Sequence, residues 1–68
     1  MEYRKTYEFS YKDNEGDLYD SGQFESQRLA DLDIKQLSEH YGEDFEVVET
    51  WIYKEYKDGT MKFVGRWT

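Results

Sequence analysis

The tetrad Lys57-Asp58-Gly59-Thr60 separates two apolar, aromatic runs, residues 45–56 (FEVVETWIYKEY) and 61–67 (MKFVGRW). Asp-Gly in that setting is the strongest short-range signal for a β-hairpin. It commits the last third of the chain to one antiparallel pair. With Asp58 and Gly59 as a two-residue loop, Lys57 faces Thr60, Tyr56 faces Met61 and Glu55 faces Lys62. Tyr53 then faces Val64, Ile52 faces Gly65, Trp51 faces Arg66 and Thr50 faces Trp67. Strand side chains alternate between faces. One face therefore collects Val48, Ile52, Tyr56, Met61, Phe63 and Trp67, a core composition. The other collects Trp51, Tyr53, Val64 and Arg66, with Glu55 beside Lys62. That second face carries more aromatic surface than a solvated sheet face needs.

Upstream, Tyr3, Lys5, Tyr7, Phe9 and Tyr11 alternate with Arg4, Thr6, Glu8 and Ser10, the period of a half-buried strand with its aromatics inward. Asp13-Asn14-Glu15-Gly16 is turn chemistry. Residues 18–25 return as a second strand, with Leu18 and Phe24 inward and Gly22 marking a bulge or a close contact. Residues 26–41 are the helical stretch. Ser26 fits an N-cap, and Asp33 followed by Gln36 offers a later start of capping-box type. Ile34, Leu37 and Tyr41 share one helix face, with Ala30 near it. Leu29 and Leu32 lie off that stripe, so the helix starts either near Ser26 or near Asp33, with the two leucines anchoring an incoming loop in the second case. Gly42 suits a helix end. The order β-β-α-β-β predicts a single α+β domain over residues 1–68: a four-stranded antiparallel sheet with one helix packed on one face. The strand order stays open.

A chain of 68 residues has a limited core, and this one has no cysteine to staple it. Two Trp, seven Tyr and four Phe supply large buried areas instead. No apolar run approaches a membrane span, and MEYRKTYEF lacks the apolar centre of a secretion signal, so a cytoplasmic location is expected. Sixteen acidic and nine basic residues give a net charge of −7. Residues 13–49 hold twelve acids against Arg28 and Lys35, a local net of −10. This asymmetry disfavours nucleic acid and anionic membranes as direct ligands and favours a partner with a basic surface. Solubility of a small aromatic-rich protein explains the acids equally simply.

Catalytic chemistry is sparse. The lone His40 falls in the last helical turn, where a cation suits the dipole, and no oriented partner is evident. No Cys/His set suggests zinc, and the oxygen-rich Asp13 to Asp17 stretch is too short for a helix-loop-helix calcium site. Ser10, Ser21, Ser26 and Ser38 lack a triad context, and the five glycines form no phosphate loop. Neither an enzyme nor a cofactor or metal is expected. The functional alternative for the acids is mimicry of nucleic-acid phosphates. Its candidates are Glu25, Asp31, Asp33, Glu39, Glu43, Asp44, Glu46 and Glu49, on the helix and its flanks.

An aromatic first strand, the acidic turn Asp13-Asn14-Glu15-Gly16, a helix ending Tyr41-Gly42, and the following Phe45-Glu46-Val47-Val48-Glu49 together resemble the short uracil-DNA glycosylase inhibitors of Bacillus phages. The resemblance spans residues 7–56. It departs in a longer connection from Gly16 to Gly42 and in an extra strand ending at Trp67, and no glycosylase-plugging motif is matched. In size, acidity and layout the chain is also similar to some anti-CRISPR proteins. These resemblances imply a non-catalytic phage or mobile-element inhibitor acting in the host cytoplasm. It would block a host nucleic-acid-handling protein sterically and by mimicry, with Trp51, Tyr53 and Arg66 as anchors and Val64 beside them. The alternative is a housekeeping domain that homodimerises through the aromatic face.

Overall fold

The computed structural model describes residues 2–67. The elements are β1 (Tyr3–Lys12), β2 (Leu18–Asp20), α1 (Gln27–Tyr41), a 3-10 turn (Gly42–Asp44), β3 (Glu46–Tyr56) and β4 (Met61–Gly65). They form one four-stranded antiparallel sheet in the order β2-β1-β3-β4 with a single helix, the expected α+β architecture.

The long pair β1–β3 is the spine, running from Tyr3 opposite Tyr56 to Lys12 opposite Glu46. Ser10 faces Glu49 while Tyr11 faces Val47, so Val48 is an inserted residue. A bulge of this kind changes which residues share a face. Val47 and Thr50 thus both turn toward the helix, and Val48, expected in the core, is left 43% exposed. β2 is shorter than expected. Its pairing stops at Asp20, the chain passes Gly22 at φ 86, and Phe24 rejoins β1 through reciprocal bonds with Tyr7 of 2.8 Å. Leu18 was expected inward but is 62% exposed. It pairs with Lys12, on the face away from the helix, whereas Tyr19 pairs with Tyr11 and stacks on it at 5.6 Å.

Helix α1 takes the earlier of the two starts. Ser26 caps it by accepting a bond from the Leu29 amide at 3.2 Å. Leu29 and Leu32 therefore lie on the outer helix surface, about half exposed, not in a loop. Gly42, at φ 82, ends the helix and donates its N–H to the Ser38 carbonyl. The inward stripe is the expected one: Ala30 is fully buried, and Ile34 and Leu37 pack around it.

Phe9, Ala30 and Trp67 form the buried centre, surrounded by Tyr7, Tyr11, Phe24, Val47 and Ile52. Trp67 ties helix to sheet. Its indole N–H donates to Asp31 Oδ1 at 3.2 Å, and its carbonyl accepts from Thr50 Oγ1 at 2.7 Å. Its ring meets Tyr7 and Phe9 edge-on at 5.8 and 6.4 Å.

The final hairpin departs from the expected register. The Tyr56 amide donates to Thr60 O at 2.9 Å and the Gly59 amide to Tyr56 O at 3.0 Å, with Gly59 at φ 89. This is a three-residue loop: a turn through Lys57 and Asp58, then a left-handed glycine. The extra loop residue shifts the pairing by one, so Glu55 faces Met61, Lys54 faces Lys62 and Tyr53 faces Phe63. A second bulge at Val64 restores Ile52 opposite Gly65, the pair expected from the sequence. Met61 and Phe63 are consequently on the face opposite to the one predicted. Tyr56 keeps to the helix side but packs on Tyr3, at 5.8 Å between ring centres, away from the core cluster.

Candidate functional site: the open face of the sheet

One helix covers one side of the sheet. The other side is built from the alternate positions: Arg4, Thr6, Glu8 and Ser10 on β1, Glu49, Trp51, Tyr53 and Glu55 on β3, and Met61 and Phe63 on β4. Its apolar part is centred on Tyr53 and Phe63, whose rings meet at 5.9 Å and 71°. Trp51 and Tyr53 are half-buried, whereas Phe63 is 54%, Val64 45% and Met61 36% exposed. Isolated exposed apolar residues are ordinary; here Met61, Phe63 and Val64 are exposed together on one short strand.

Of the four predicted partner-binding residues, Trp51 and Tyr53 lie on this face and Val64 sits at its border, on the β4 bulge. Arg66 does not face Trp51. The sheet pairing stops at Gly65, and Arg66 instead lines a notch of about 420 Å³ with Asp31, Val48, Glu49 and Trp67. Phe63 and Met61, expected in the core, are surface residues on this face. The available signal was that Asp-Gly also fits a three-residue loop with glycine in the left-handed position.

The polar surroundings of the patch are mostly acidic. Glu8 stands opposite Trp51, and burial, with the Asp20 carboxylate as a lesser cause, pushes its carboxyl above the usual glutamate range. Arg4 donates from Nε to Glu55 Oε1 at 2.6 Å and lies 3.6 Å from Glu25 through Nη1. This exposed cluster contributes little to stability, under about 1 kcal/mol, and serves mainly to hold the Glu55 and Glu25 side chains. Gln23 Nε2 approaches Met61 Sδ at 3.8 Å, joining the two edges of the sheet across this face. Thr6, opposite Tyr53, is 1% exposed, and its hydroxyl has no hydrogen-bond partner.

The eight acidic candidates do not form one row. Glu25 belongs to the Arg4 cluster, Glu49 pairs with Ser10 and Glu46 with Lys12. Asp31 is engaged by Trp67. On the helix, the 3.6-residue repeat puts Asp31 and Asp33 on opposite flanks of the inward stripe. Glu39 shares the outward surface with Arg28 and Lys35. Glu43 and Asp44 are exposed on the 3-10 turn beyond the helix. The structure thus groups Glu39, Glu43 and Asp44 at one end of the molecule and separates the others.

His40 rests edge-on against Tyr41 at 4.7 Å. The Asp13 carboxylate accepts from the Glu15 and Asp17 amides, both at 2.9 Å, which assigns it to the turn. Among the described residues no three His, Cys, Asp or Glu side chains are grouped as a metal site requires, and no helix is long and apolar enough to cross a membrane. No family model matches the chain, nor does any curated protein or solved structure.

Proposed function

We propose that this chain is a non-catalytic binding protein that docks through the open sheet face, with Trp51, Tyr53, Phe63 and Met61 as anchors. The observation that carries the reading is the exposed aromatic group itself, with Phe63 54% exposed beside Tyr53. Buried aromatic anchors supply most of the energy of such interfaces, and rim charges steer the encounter. The acidic rim and the net charge of −7 favour a partner with a basic surface. Such surfaces are characteristic of proteins that handle nucleic acid. Together with the phage-inhibitor resemblance, this gives an inhibitor that occludes a host nucleic-acid-binding surface in the host cytoplasm. The dispersed carboxylates favour steric block over imitation of a regular phosphate row.

Affinity capture with the tagged chain from bacterial lysate tests this, at low and high salt and with competing duplex DNA. Retention of a nucleic-acid-binding protein, released by salt or duplex, supports charge-led docking. Retention through both supports aromatic anchoring. Capture of nothing contradicts the reading. The exposed face favours one other reading, self-association. In that case light scattering gives twice the monomer mass, and Phe63→Ala restores the monomer.

A further inference from the structure

The sheet register places Lys5 opposite Lys54 and Lys54 opposite Lys62, so three lysines stand in one row across β1, β3 and β4. Directly opposed residues share a face. The row lies on the helix side, because Lys5 alternates with Tyr7 and Lys54 with Ile52, both packed against the core. Tyr3 and Tyr56 flank it toward the end of the sheet, with their rings 5.8 Å apart, and Lys54 Nζ sits 4.5 Å over the Tyr3 ring. Among the described residues none of these three lysines joins an ion pair. The helix adds to the positive field. It begins just after Phe24, which bridges to Tyr7, and runs to Tyr41, which packs against Tyr11 at 6.4 Å. Its N-terminal turn, with Arg28 and no acid, is therefore the end nearest the row, and Glu25 just before the cap is held by Arg4.

Like charges placed directly opposite each other destabilise a strand pair. In a chain with sixteen acidic residues, these three cations stand together without an ion-pair partner among the described residues, Lys54 meeting only the Tyr3 ring; the Glu2 carboxylate beyond them is held by Lys57 at 2.8 Å. We infer that the row binds the phosphodiester backbone of single-stranded nucleic acid. Each lysine acts as a point charge on a phosphate, Lys54 leaving the Tyr3 ring to do so, and the Tyr3–Tyr56 pair offers aromatic surface on which a base stacks. Strands about 4.8 Å apart give the row a span of roughly 10 Å, within reach of neighbouring phosphates for long lysine side chains. The net charge of −7 opposes such a ligand at long range, but a field is local within a Debye length of about 8–10 Å. The site is on the helix side and is independent of the docking face proposed above.

Fluorescence anisotropy with a labelled thymidine oligonucleotide and the full chain, titrated across a salt series, tests the site. Three phosphate contacts predict a slope of log K against log salt of about −2. Lys54→Gln should weaken binding and flatten that slope by about 0.7. Tyr3→Leu should weaken binding at every salt concentration without changing the slope. Removing one of three opposed charges should leave the thermal midpoint unchanged or higher, and the exposed Lys5→Gln and Lys62→Gln provide the same reading if Lys54→Gln fails to fold. Three results would overturn the inference: no binding at low salt, binding that survives all three lysine substitutions, or equal affinity for a polyglutamate peptide, which would assign the row to acidic polypeptides.

Discussion

Trp67, 4% exposed, joins α1 through Asp31, β3 through Thr50 and β1 through two ring contacts. Truncating a buried Trp to Ala costs about 3–5 kcal/mol. A domain of 68 residues has roughly 3–10 kcal/mol of total stability. Trp67→Ala should therefore leave much of the protein unfolded at 25 °C, as read by denaturant titration. Trp67→Phe, which keeps most of the packing but loses the bond to Asp31, should cost about 1–3 kcal/mol. Glu8 has the opposite sign. Its carboxyl titrates higher in the folded state than in the unfolded chain, so the folded state binds more protons in the interval just above the ordinary value of 4.5. Its contribution to stability is thus lost as pH rises through that interval. Glu8→Gln should flatten the decline there and raise the midpoint at neutral pH. An unchanged profile would show that Glu8 is solvated.

At the scale of elements, the last hairpin and the helix differ in how far the sequence exposes them. Helix α1 was legible in its stripe of Ala30, Ile34, Leu37 and Tyr41 and in its end at Gly42, but not in its start, because Ser26 and Asp33 both offered one and the structure takes Ser26. Ser26→Ala should cost about 0.5–2 kcal/mol, measurable as a lower midpoint with unchanged fold. The existence of the hairpin was equally legible, but its register was not. Asp-Gly is compatible with both a two-residue and a three-residue loop. The choice is made by Gly59 at φ 89 and by Asp58, whose carboxylate accepts from the Thr60 amide at 2.9 Å and titrates below the usual range for that reason. A shift of one residue moves every side chain to the other face until a bulge corrects it. That is why Met61 and Phe63 were placed in the core while Trp67, beyond the Val64 bulge, was placed correctly. The aromatic surface was therefore recognisable through Trp51 and Tyr53, but its most exposed member was not. Gly59→Ala places a Cβ at positive φ and should cost about 1–3 kcal/mol. A neutral result would mean that the turn can change type.

At the scale of the molecule, the sheet is longer than the helix that covers it. The chain extends 43 Å along its long axis and 19 and 18 Å across. The helix packs over Phe9 and Tyr11, leaving the Tyr3 and Lys54 end bare, and it does not cover the opposite face, where Thr6 and Ser10 are nonetheless buried beneath their neighbours' side chains. Composition alone reports an acidic protein, but the fold gathers some like charges, while Glu25 and Glu55 stay with Arg4 beside the lysine end. Glu39, Glu43 and Asp44 lie at one end, and Lys5, Lys54 and Lys62 at the other. The lysine row could not be read from the sequence, because residues 5, 54 and 62 become neighbours only through two strand registers. If the open face docks a partner and is dispensable for folding, wild type and the Trp51→Ala, Phe63→Ala double variant should differ in partner capture but not in whether they fold, so both are compared by affinity capture and, separately, by thermal unfolding. Capture should be lost while the double variant still unfolds cooperatively, with stability lowered by about 1–3 kcal/mol. A double variant that captures as well as wild type, or one that does not fold, would contradict docking through this face.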